Sequence, residues 1–370
     1  MSVHKFAFPT TIHFGAGARK LVAEHLAAEG VKRPLIVTDK GLASLSILHD
    51  FKASLKGSEI FSGVHGNPTA SQVTEGVAAY KAHAADGVIG FGGGAALDVA
   101  KAVALMAVHP GAVLEYAWDH PQVRPMDRQV PHFIALPTTA GTGSEVGRSS
   151  VISEDDTHIK RILFSPKLLA RAVFADPELT IGLPPAVTAA TGMDALTHNI
   201  ESYLSPAYHP LCDGIALEGV RIAARALPRA FHNGSDLQAR SDMLMASMMG
   251  AIAFQKDLGA VHSCAHALST VAHLHHGLAN GIMIDHVMRF NEPAAKEKMA
   301  ELARVAGEKD FISWLTRLKA ELGIPAKLTD IGKDKIPQLV KIAVADICHE
   351  TNPRPCKAED FERIFAGAMQ

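Results

Sequence analysis

Acidic and imidazole side chains in the C-terminal half of the chain have the spacing of metal ligands. Asp194 and His198 lie four positions apart within TAATGMDALTHNIESYL, which places both on one face of a helix. His262 and His266 repeat this spacing within GAVHSCAHALSTVAHL. A carboxylate combined with imidazoles suits Fe2+, Zn2+, Mn2+, Co2+ or Ni2+ and disfavours Ca2+. The pattern indicates one divalent-metal site, with buried, hydrogen-bonded histidines as the alternative interpretation.

A third group of histidines follows, and its spacing alone does not identify a ligand. His273, His275 and His276 crowd one another within HLHHGLANG. Cys264 lies out of phase with its neighbouring histidines on the predicted helix, so a thiolate ligand is not expected.

Two loops rich in small residues lie upstream and suggest a nucleotide site. Gly92-Gly93-Gly94 follows an apolar run at 87–91 and precedes a helical stretch at 95–106. Glycines let a phosphate approach the backbone, and the helix N-terminus offers N–H groups and a positive dipole end. Because the spacing is not GxGxxG, a tight strand-to-helix turn is the alternative. The second loop, TTAGTGSE (138–145), follows another apolar run and has hydroxyls that suit a pyrophosphate and a nicotinamide.

Asp39 ends the apolar run at 34–38, where an acidic side chain can bind a ribose 2′-OH. It would repel a 2′-phosphate, so it favours NAD over NADP; a turn or cap residue is the alternative. A divalent metal beside a dinucleotide suggests hydride transfer between an alcohol carbon and nicotinamide, with the metal as Lewis acid.

The elements that would position these residues change character along the chain. Apolar runs at 34–38, 87–91 and 132–136 alternate with helical patterns at 42–56 and 71–84, which predicts a parallel sheet. After the proline-rich segment 177–185, helical periodicity dominates. We expect an N-terminal α/β domain with a Rossmann-like parallel sheet (1–183) and an all-α C-terminal domain (184–370), with the active site in the cleft between them. The predicted C-terminal helices span 186–203, 212–227, 239–254, 258–274, 294–306, 309–322 and 334–348.

Bulk composition excludes several classes of partner. The 370 residues suit two domains. A net charge of −2 provides no basic surface for nucleic acid or an anionic membrane, and 6% aromatic residues provide few stacking platforms. The four cysteines form no CxxC pair, and neither a secretory leader nor a long apolar segment is apparent, so the expected location is cytoplasmic.

Taken together, these motifs resemble the iron-containing (group III) alcohol dehydrogenases of the dehydroquinate synthase-like superfamily. The resemblance covers nearly the whole chain, with the motifs in family order. They are FGAGARKL (14–21), VTDKGL (37–42), GNPT (66–69), GFGGGAALDVAK (90–101), PTTAGTGSEV (137–146), ADPELT (175–180), GMDALTH (192–198), GAVHSCAHALS (259–269), HHGLANGI (275–282) and NPRP (352–355).

The resemblance implies a role for particular positions. His266 matches a nearby histidine that is not a ligand; it would relay a proton or support a ligand. The metal would be Fe2+ first, with Zn2+, Mn2+, Co2+ or Ni2+ as alternatives. The implied metal ligands are Asp194, His198, His262 and His276. The implied NAD-binding residues are Asp39, Asn67, Gly93, Gly94, Asp98, Thr138, Thr139, Thr142, Ser144, Val146 and Lys160.

The resemblance also implies an activity: oxidation of a primary alcohol or hydroxy acid with NAD, or reduction of an aldehyde. The alternative is a hydroxyacid–oxoacid transhydrogenase with a 4-hydroxybutyrate-type substrate and tightly bound NAD. All four metal positions are intact, which argues against the metal-independent maleylacetate reductases, and dehydroquinate synthase is disfavoured because its basic phosphate cluster is not apparent.

Ala95 and Ser269 depart from the usual Ser and Gly of the family. Arg148, Lys160 and Arg161 would be able to pair a substrate carboxylate, although surface roles are expected for both arginines. A homo-oligomer, dimer or larger, is expected.

Overall fold

The computed structural model describes residues 8–329 and 331–369, and these divide into two compact units. One unit comprises residues 8–139 and 143–180. The other comprises residues 140–142 together with the chain from 181 onwards.

The first unit is built on a six-stranded sheet whose strand pairs are all parallel, in the order β1-β8-β5-β4-β2-β3. A separate antiparallel hairpin is formed by β6 and β7. The elements are β1 (Thr11–Phe14), α1 (Val22–Ala28), β2 (Pro34–Asp39), α2 (Ser46–Ala53), β3 (Glu59–Val64), α3 (Ala70–Ala82), β4 (Gly87–Gly92), α4 (Gly94–Met106), β5 (His132–Pro137), β6 (Ser149–Ser153), β7 (Lys160–Phe164) and β8 (Ala172–Ala175).

The central strands are buried along nearly their whole length, which explains why they appear in the sequence as continuous apolar runs. Ile36, Ile89 and Ile134 pack in one core cluster with Phe91 and Phe174. Because β2, β4 and β5 are parallel neighbours, their last residues lie along one edge of the sheet. The predicted parallel α/β domain is confirmed.

The second unit is helical, which confirms the predicted all-α region. In the part of the chain that the structure describes, none of its helices combines the length and hydrophobicity needed to cross a membrane. Its helices are α5 (Pro185–Leu204), α6 (Pro210–His232), α7 (Leu237–Ala253), α8 (Ala260–Ala272), α9 (His276–Ala306), α10 (Phe311–Glu321), α11 (Ile336–Ala345) and α12 (Ala358–Ala368).

Three element assignments from the sequence need correction. The helix expected at 42–56 is a 3-10 turn at Leu42–Ser44 followed by the shorter α2. The helix expected at 294–306 is the second half of α9, which continues past Pro293 through a kink at Ala295. No element was predicted at α1 or α12, nor at β1, β3, β6, β7 and β8.

Candidate metal centre and nucleotide-binding edge

Helix α5 carries one stripe of buried acidic and imidazole side chains. Asp194 and His198 lie one turn apart as predicted, and Glu201 continues the stripe one turn further. All three side chains are buried. The helix begins at Pro185, where proline's fixed backbone angle suits the first helical position.

The remaining predicted ligands come from two different helices. His262 lies in the first turn of α8, which ends at His273 in the left-handed conformation (φ 53°). His276 is the first residue of the next helix, α9. His275 caps α9, since its Nδ1 accepts the backbone N–H of Leu278 at 3.4 Å.

The three predicted imidazole ligands converge on one carboxylate oxygen of the fourth predicted ligand, Asp194. Asp194 Oδ1 lies 3.4 Å from His276 Nε2, 3.8 Å from His262 Nε2 and 4.0 Å from His198 Nε2. The rings of His198 and His262 stack at 4.7 Å between centroids. Ligand atoms of Asp194, His262 and His276 all lie within 4.8 Å of one another. Such convergence is what shared coordination of one cation requires.

Gly277 allows α9 to approach α5 closely enough to form this cluster. A Cβ at this position would lie 2.3 Å from the carbonyl oxygen of Ala190 and 3.2 Å from Asp194 Cβ. Any larger residue would push the two helices apart, and with them His276 and Asp194.

Glu201 orients His262, and the sequence analysis assigned it no role. Its Oε2 accepts a hydrogen bond from His262 Nδ1 at 2.5 Å, and its Oε1 accepts the backbone N–H of Val261 at 2.7 Å. The proton on Nδ1 leaves the Nε2 lone pair directed towards Asp194. Burial disfavours the charged ring, but the hydrogen bond and charge of Glu201 outweigh burial and raise the pKa of His262.

His198 has the opposite electrostatic behaviour. Burial, together with the nearby His262 and against the attraction of Asp194, lowers the pKa of His198 to about 4. The ring is therefore neutral at physiological pH, which is the form that binds a metal.

His266 lies one turn after His262 and belongs to a second carboxylate–histidine pair. Its Nδ1 donates to Asp346 Oδ2 at 2.7 Å, while Asp346 Oδ1 accepts the Ser263 hydroxyl at 2.9 Å. Burial opposes ionisation of Asp346, but His266 and these hydrogen bonds hold its pKa well below the ordinary range. The rings of His266 and His276 stack at 5.2 Å between centroids. His266 thus lies against the ligand cluster with its orientation fixed, and the sequence analysis did not identify Asp346.

The predicted nucleotide residues of the glycine turn lie at the carboxyl edge of the parallel sheet. Gly92 ends β4 with φ 155°, and a Cβ there would lie 2.6 Å from Ala96 Cβ. Gly93 is the N-cap of α4, which has no side-chain cap, and Gly94 is its first residue. A Cβ at Gly93 would lie 3.2 Å from Thr139 Oγ1. The amide of Thr138 donates to the carbonyl of Gly92 at 3.0 Å. These contacts join the two predicted loops, and the first turn of α4 leaves N–H groups available for an anion.

Asp39 ends β2, and Asn67 lies three residues beyond the end of the neighbouring strand β3. Asp39 Oδ1 accepts the backbone N–H of Leu42 at 2.9 Å, so the turn role that we considered as an alternative is present. Its Oδ2 lies 3.5 Å from the position of a Cβ on Gly92, beside the glycine turn. Asn67 is exposed, and its carbonyl accepts a hydrogen bond from the buried Gln72 side chain at 3.5 Å.

Asp98 and Ser144 bind one another in the described structure. The Ser144 hydroxyl donates to Asp98 Oδ1 at 2.6 Å, and the amide of Val151 donates to Asp98 Oδ2 at 3.0 Å. Lys101 Nζ, which is buried, donates to the Ser144 carbonyl at 2.6 Å and to the Ser149 carbonyl at 2.8 Å. This network fixes the second loop to α4. Asp98 and Lys101 therefore hold the loop in shape, and Lys101 had been assigned no role from the sequence.

The other predicted cofactor residues lie in and beyond the same loop. Val146 is buried, and Thr142 is half-buried. Burial raises the pKa of Asp98, and Lys160, the first residue of β7, is among the groups that act in the opposite direction. Glu145, between Ser144 and Val146, is 1% exposed, and its Oε1 has no hydrogen-bond partner among the described residues. Burial raises the pKa of Glu145 to about 7.

Comparison with known proteins places the chain in a family. Residues 9–177 match the model of the iron-containing alcohol dehydrogenases, and residues 188–369 match the model of the C-terminal region of that family. The chain belongs to the iron-containing alcohol dehydrogenase family, and it is an oxidoreductase of the alcohol dehydrogenase class.

Individual relatives extend over the whole chain. It is 38% identical to the 4-hydroxybutyrate dehydrogenase of Cupriavidus necator, over 97% of this chain and 98% of the relative. The crystal structure of a 1,3-propanediol oxidoreductase superposes with a TM-score of 0.94 at 34% identity and covers both chains fully. A sulfoacetaldehyde reductase from Bifidobacterium kashiwanohense, solved in complex with NAD+, has a TM-score of 0.90 at 28% identity, over 100% of this chain and 99% of the other.

Proposed function

We propose that the chain transfers a hydride between a primary alcohol or hydroxy acid and NAD, with one divalent metal held by Asp194, His198, His262 and His276. The observation that carries the proposal is the convergence of three imidazole nitrogens on one buried carboxylate oxygen. No described lysine or arginine lies within ion-pair distance of Asp194 to compensate its charge. A buried carboxylate needs a counter-charge, and a divalent cation is one that three neutral imidazoles also bind.

The cation would act as a Lewis acid, lowering the pKa of an alcohol or polarising an aldehyde, and Fe2+ is our first assignment because of the family. The protein's own contribution is orientation. Glu201 holds His262 in the tautomer whose Nε2 faces Asp194. Asp346 holds His266 through Nδ1, so that its Nε2 is the nitrogen left to exchange a proton with substrate or water.

We assign NAD to the edge formed by the glycine turn and the second loop in residues 1–183, and the metal to residues 184–370. The uncapped N-terminus of α4 suits a pyrophosphate, and the NAD+ complex of the sulfoacetaldehyde reductase supports the choice of cofactor. Asp39 Oδ2 would accept a ribose hydroxyl while Oδ1 keeps its bond to Leu42. Asn67, Thr138, Thr139, Thr142, Val146 and Lys160 complete the proposed cofactor site with Gly93 and Gly94, and Asp98 and Ser144 shape its loop.

The substrate is assigned only as a primary alcohol, a hydroxy acid or the corresponding aldehyde. Arg161 is not available to bind a carboxylate, because it pairs with Asp119 at 2.5 Å and with Glu154 at 2.7 Å. The guanidinium of Arg148 lies over the Phe164 ring at 5.4 Å. The similarity to a 4-hydroxybutyrate dehydrogenase nevertheless places ω-hydroxy acids in the panel to be tested.

The test is an assay of NAD reduction by the metal-reconstituted protein across alcohols, diols and hydroxy acids. Asp194→Ala and His262→Ala are expected to lose both bound metal and turnover, whereas the surface variants Asp334→Ala and His232→Ala keep both. Full activity without metal in either ligand variant would refute the proposal. Nicotinamide that co-purifies and does not exchange during turnover would favour the transhydrogenase instead.

A cytoplasmic location and a homo-oligomer, dimer or larger, also remain proposals. The four described cysteines are all free thiols, which fits a reducing compartment. Light scattering of the purified protein would determine the oligomeric state.

A further inference from the structure

An asparagine side chain lies among the predicted metal ligands. Asn280 follows His276 by one turn of α9 and is fully buried. Its Nδ2 lies 2.7 Å from Asp194 Oδ1 and 3.3 Å from Nε2 of both His262 and His276. The amide therefore contacts the oxygen on which the imidazoles converge.

The surrounding groups determine the direction of these hydrogen bonds. A carboxylate only accepts, so the atom of Asn280 that faces Asp194 must be the donating nitrogen. His262 keeps its proton on Nδ1 for Glu201, so its Nε2 can only accept as well. Among the described residues, the carbonyl Oδ1 of Asn280 is left buried without a hydrogen-bond partner, which is unfavourable. If the amide were rotated by half a turn, Asn280 Oδ1 would lie about 2.7 Å from Asp194 Oδ1, and two acceptor oxygens would repel each other. The hydrogen bond to Asp194 therefore keeps the amide in the orientation that buries Asn280 Oδ1.

We propose that Asn280 is a positioning residue of the metal centre: it holds Asp194 Oδ1 towards the imidazoles before a cation binds. This inference rests on the proposed function. The bond to Asp194 can persist in the loaded protein, because a carboxylate oxygen has more than one lone pair. The longer contacts to the two Nε2 atoms would be given up, since each imidazole has one lone pair at that nitrogen.

The chain offers a matched control on the same helix. Asn291 is also fully buried in α9, but among the described residues its side chain pairs with the amide of Asn352, at 3.0 and 2.6 Å, and with none of the four predicted ligands. Replacing either asparagine by leucine removes a buried hydrogen-bonding amide, so general destabilisation affects both variants. Only the Asn280 change removes a partner of a ligand.

The experiment measures metal binding directly. Metal-free wild type, Asn280→Leu and Asn291→Leu are titrated with Co2+ against a competing chelator, and bound Co2+ is followed by its visible absorption. Loss of a hydrogen-bond partner of a metal ligand typically weakens binding about 10–100-fold, so Asn280→Leu should have a Kd raised by at least about tenfold. Asn291→Leu should match the wild type. A smaller effect for Asn280→Leu, or an equal effect in Asn291→Leu, overturns the inference.

A second variant covers the case in which Asn280→Leu does not fold. Asn280→Asp keeps the shape and replaces the donor by an oxygen in a ligand-like position, so the spectrum of bound Co2+ should change. An unchanged spectrum and Kd in Asn280→Asp overturns the inference. Failure of the wild type to bind Co2+ overturns the proposed function and the inference with it, which separates that failure from an unchanged Kd in the variants alone.

Discussion

The buried carboxyl of Glu145 should make the stability of the protein depend on pH. Its side chain is 1% exposed, its Oε1 has no described hydrogen-bond partner, and burial raises its pKa from 4.5 to about 7. The nearby Lys101 acts in the opposite direction but does not restore the ordinary value. Glu145→Gln keeps the shape of the side chain and removes its ability to ionise.

The direction of this pH dependence follows from the pKa of Glu145 in the folded and in the unfolded chain. A raised pKa means that the folded protein prefers the protonated carboxyl, so the associated stability is complete below pH 4.5 and is lost as the pH rises through about 7. Ionisation of Glu145 in the folded protein then costs about 1.4 kcal/mol for each pH unit between its ordinary pKa of 4.5 and its raised pKa of about 7. The cost is roughly 3 kcal/mol at pH 8. Near pH 5 the cost is below about 1 kcal/mol.

The assay is urea-induced unfolding of the wild type and Glu145→Gln at pH 5 and pH 8. The gain in unfolding free energy from Glu145→Gln should be larger at pH 8 than at pH 5 by about 2–3 kcal/mol. Glu218→Gln is the control, because Glu218 is a surface residue paired with Arg221. An equal gain at the two pH values, or a loss at pH 8, would refute the reasoning about burial.

Three further predictions concern the site. Glu201→Gln should weaken metal binding about 10–100-fold, because Gln has no negative charge and keeps one acceptor oxygen for two donors, His262 Nδ1–H and the amide of Val261. Asp346→Asn should lower kcat while metal content stays at the wild-type level, because Asp346 orients His266 and is not a proposed ligand. Asp39→Ala should reduce the ratio of kcat/KM for NAD to that for NADP, and should cost about 1 kcal/mol of stability through the lost turn bond.

Each of these has a result that would contradict it. Metal analysis after dialysis tests Glu201→Gln, and full retention of metal would mean that Glu201 is only structural. For Asp346→Asn, loss of metal together with activity would move Asp346 into the metal centre. Wild-type preference for NADP would remove the ribose assignment of Asp39, whatever the variant does.

The sequence predicted the six-residue strands whose burial is nearly uniform, but not the equally buried β8, which has only four residues. The strands β2, β4 and β5 are covered on both faces and therefore appear as short apolar runs, whereas β1 and β3 have mixed exposure and leave no such run. The first half of α9 was missed because the predicted helix began at 294, directly after Pro293, whereas the chain continues through this proline with a kink at Ala295.

In the candidate site, local spacing in the sequence could predict some residues and not others. Glu201 was recoverable from the sequence, since it extends the stripe of Asp194 and His198 by one further turn. Asp346 was not, because it meets His266 from 80 positions away, and no local spacing encodes that contact. Resemblance to the family, and not periodicity, selected His276 from the three crowded histidines.

Gly277 imposes a restriction on any attempt to change the metal preference of this protein. Because the backbone of α9 lies directly against the carbonyl of Ala190, the two helices that carry the proposed ligands Asp194 and His276 cannot come closer, and a side chain at 277 would move them apart. Replacing a ligand by a shorter or longer residue would therefore leave a gap or a clash that helix movement cannot absorb. Adaptation to a cation of different size would require changes elsewhere in α5 and α9 as well as at the proposed ligands, because the contact at 190 is made by a backbone carbonyl. The residue with no side chain thus limits which sequences can evolve a new metal specificity from this one.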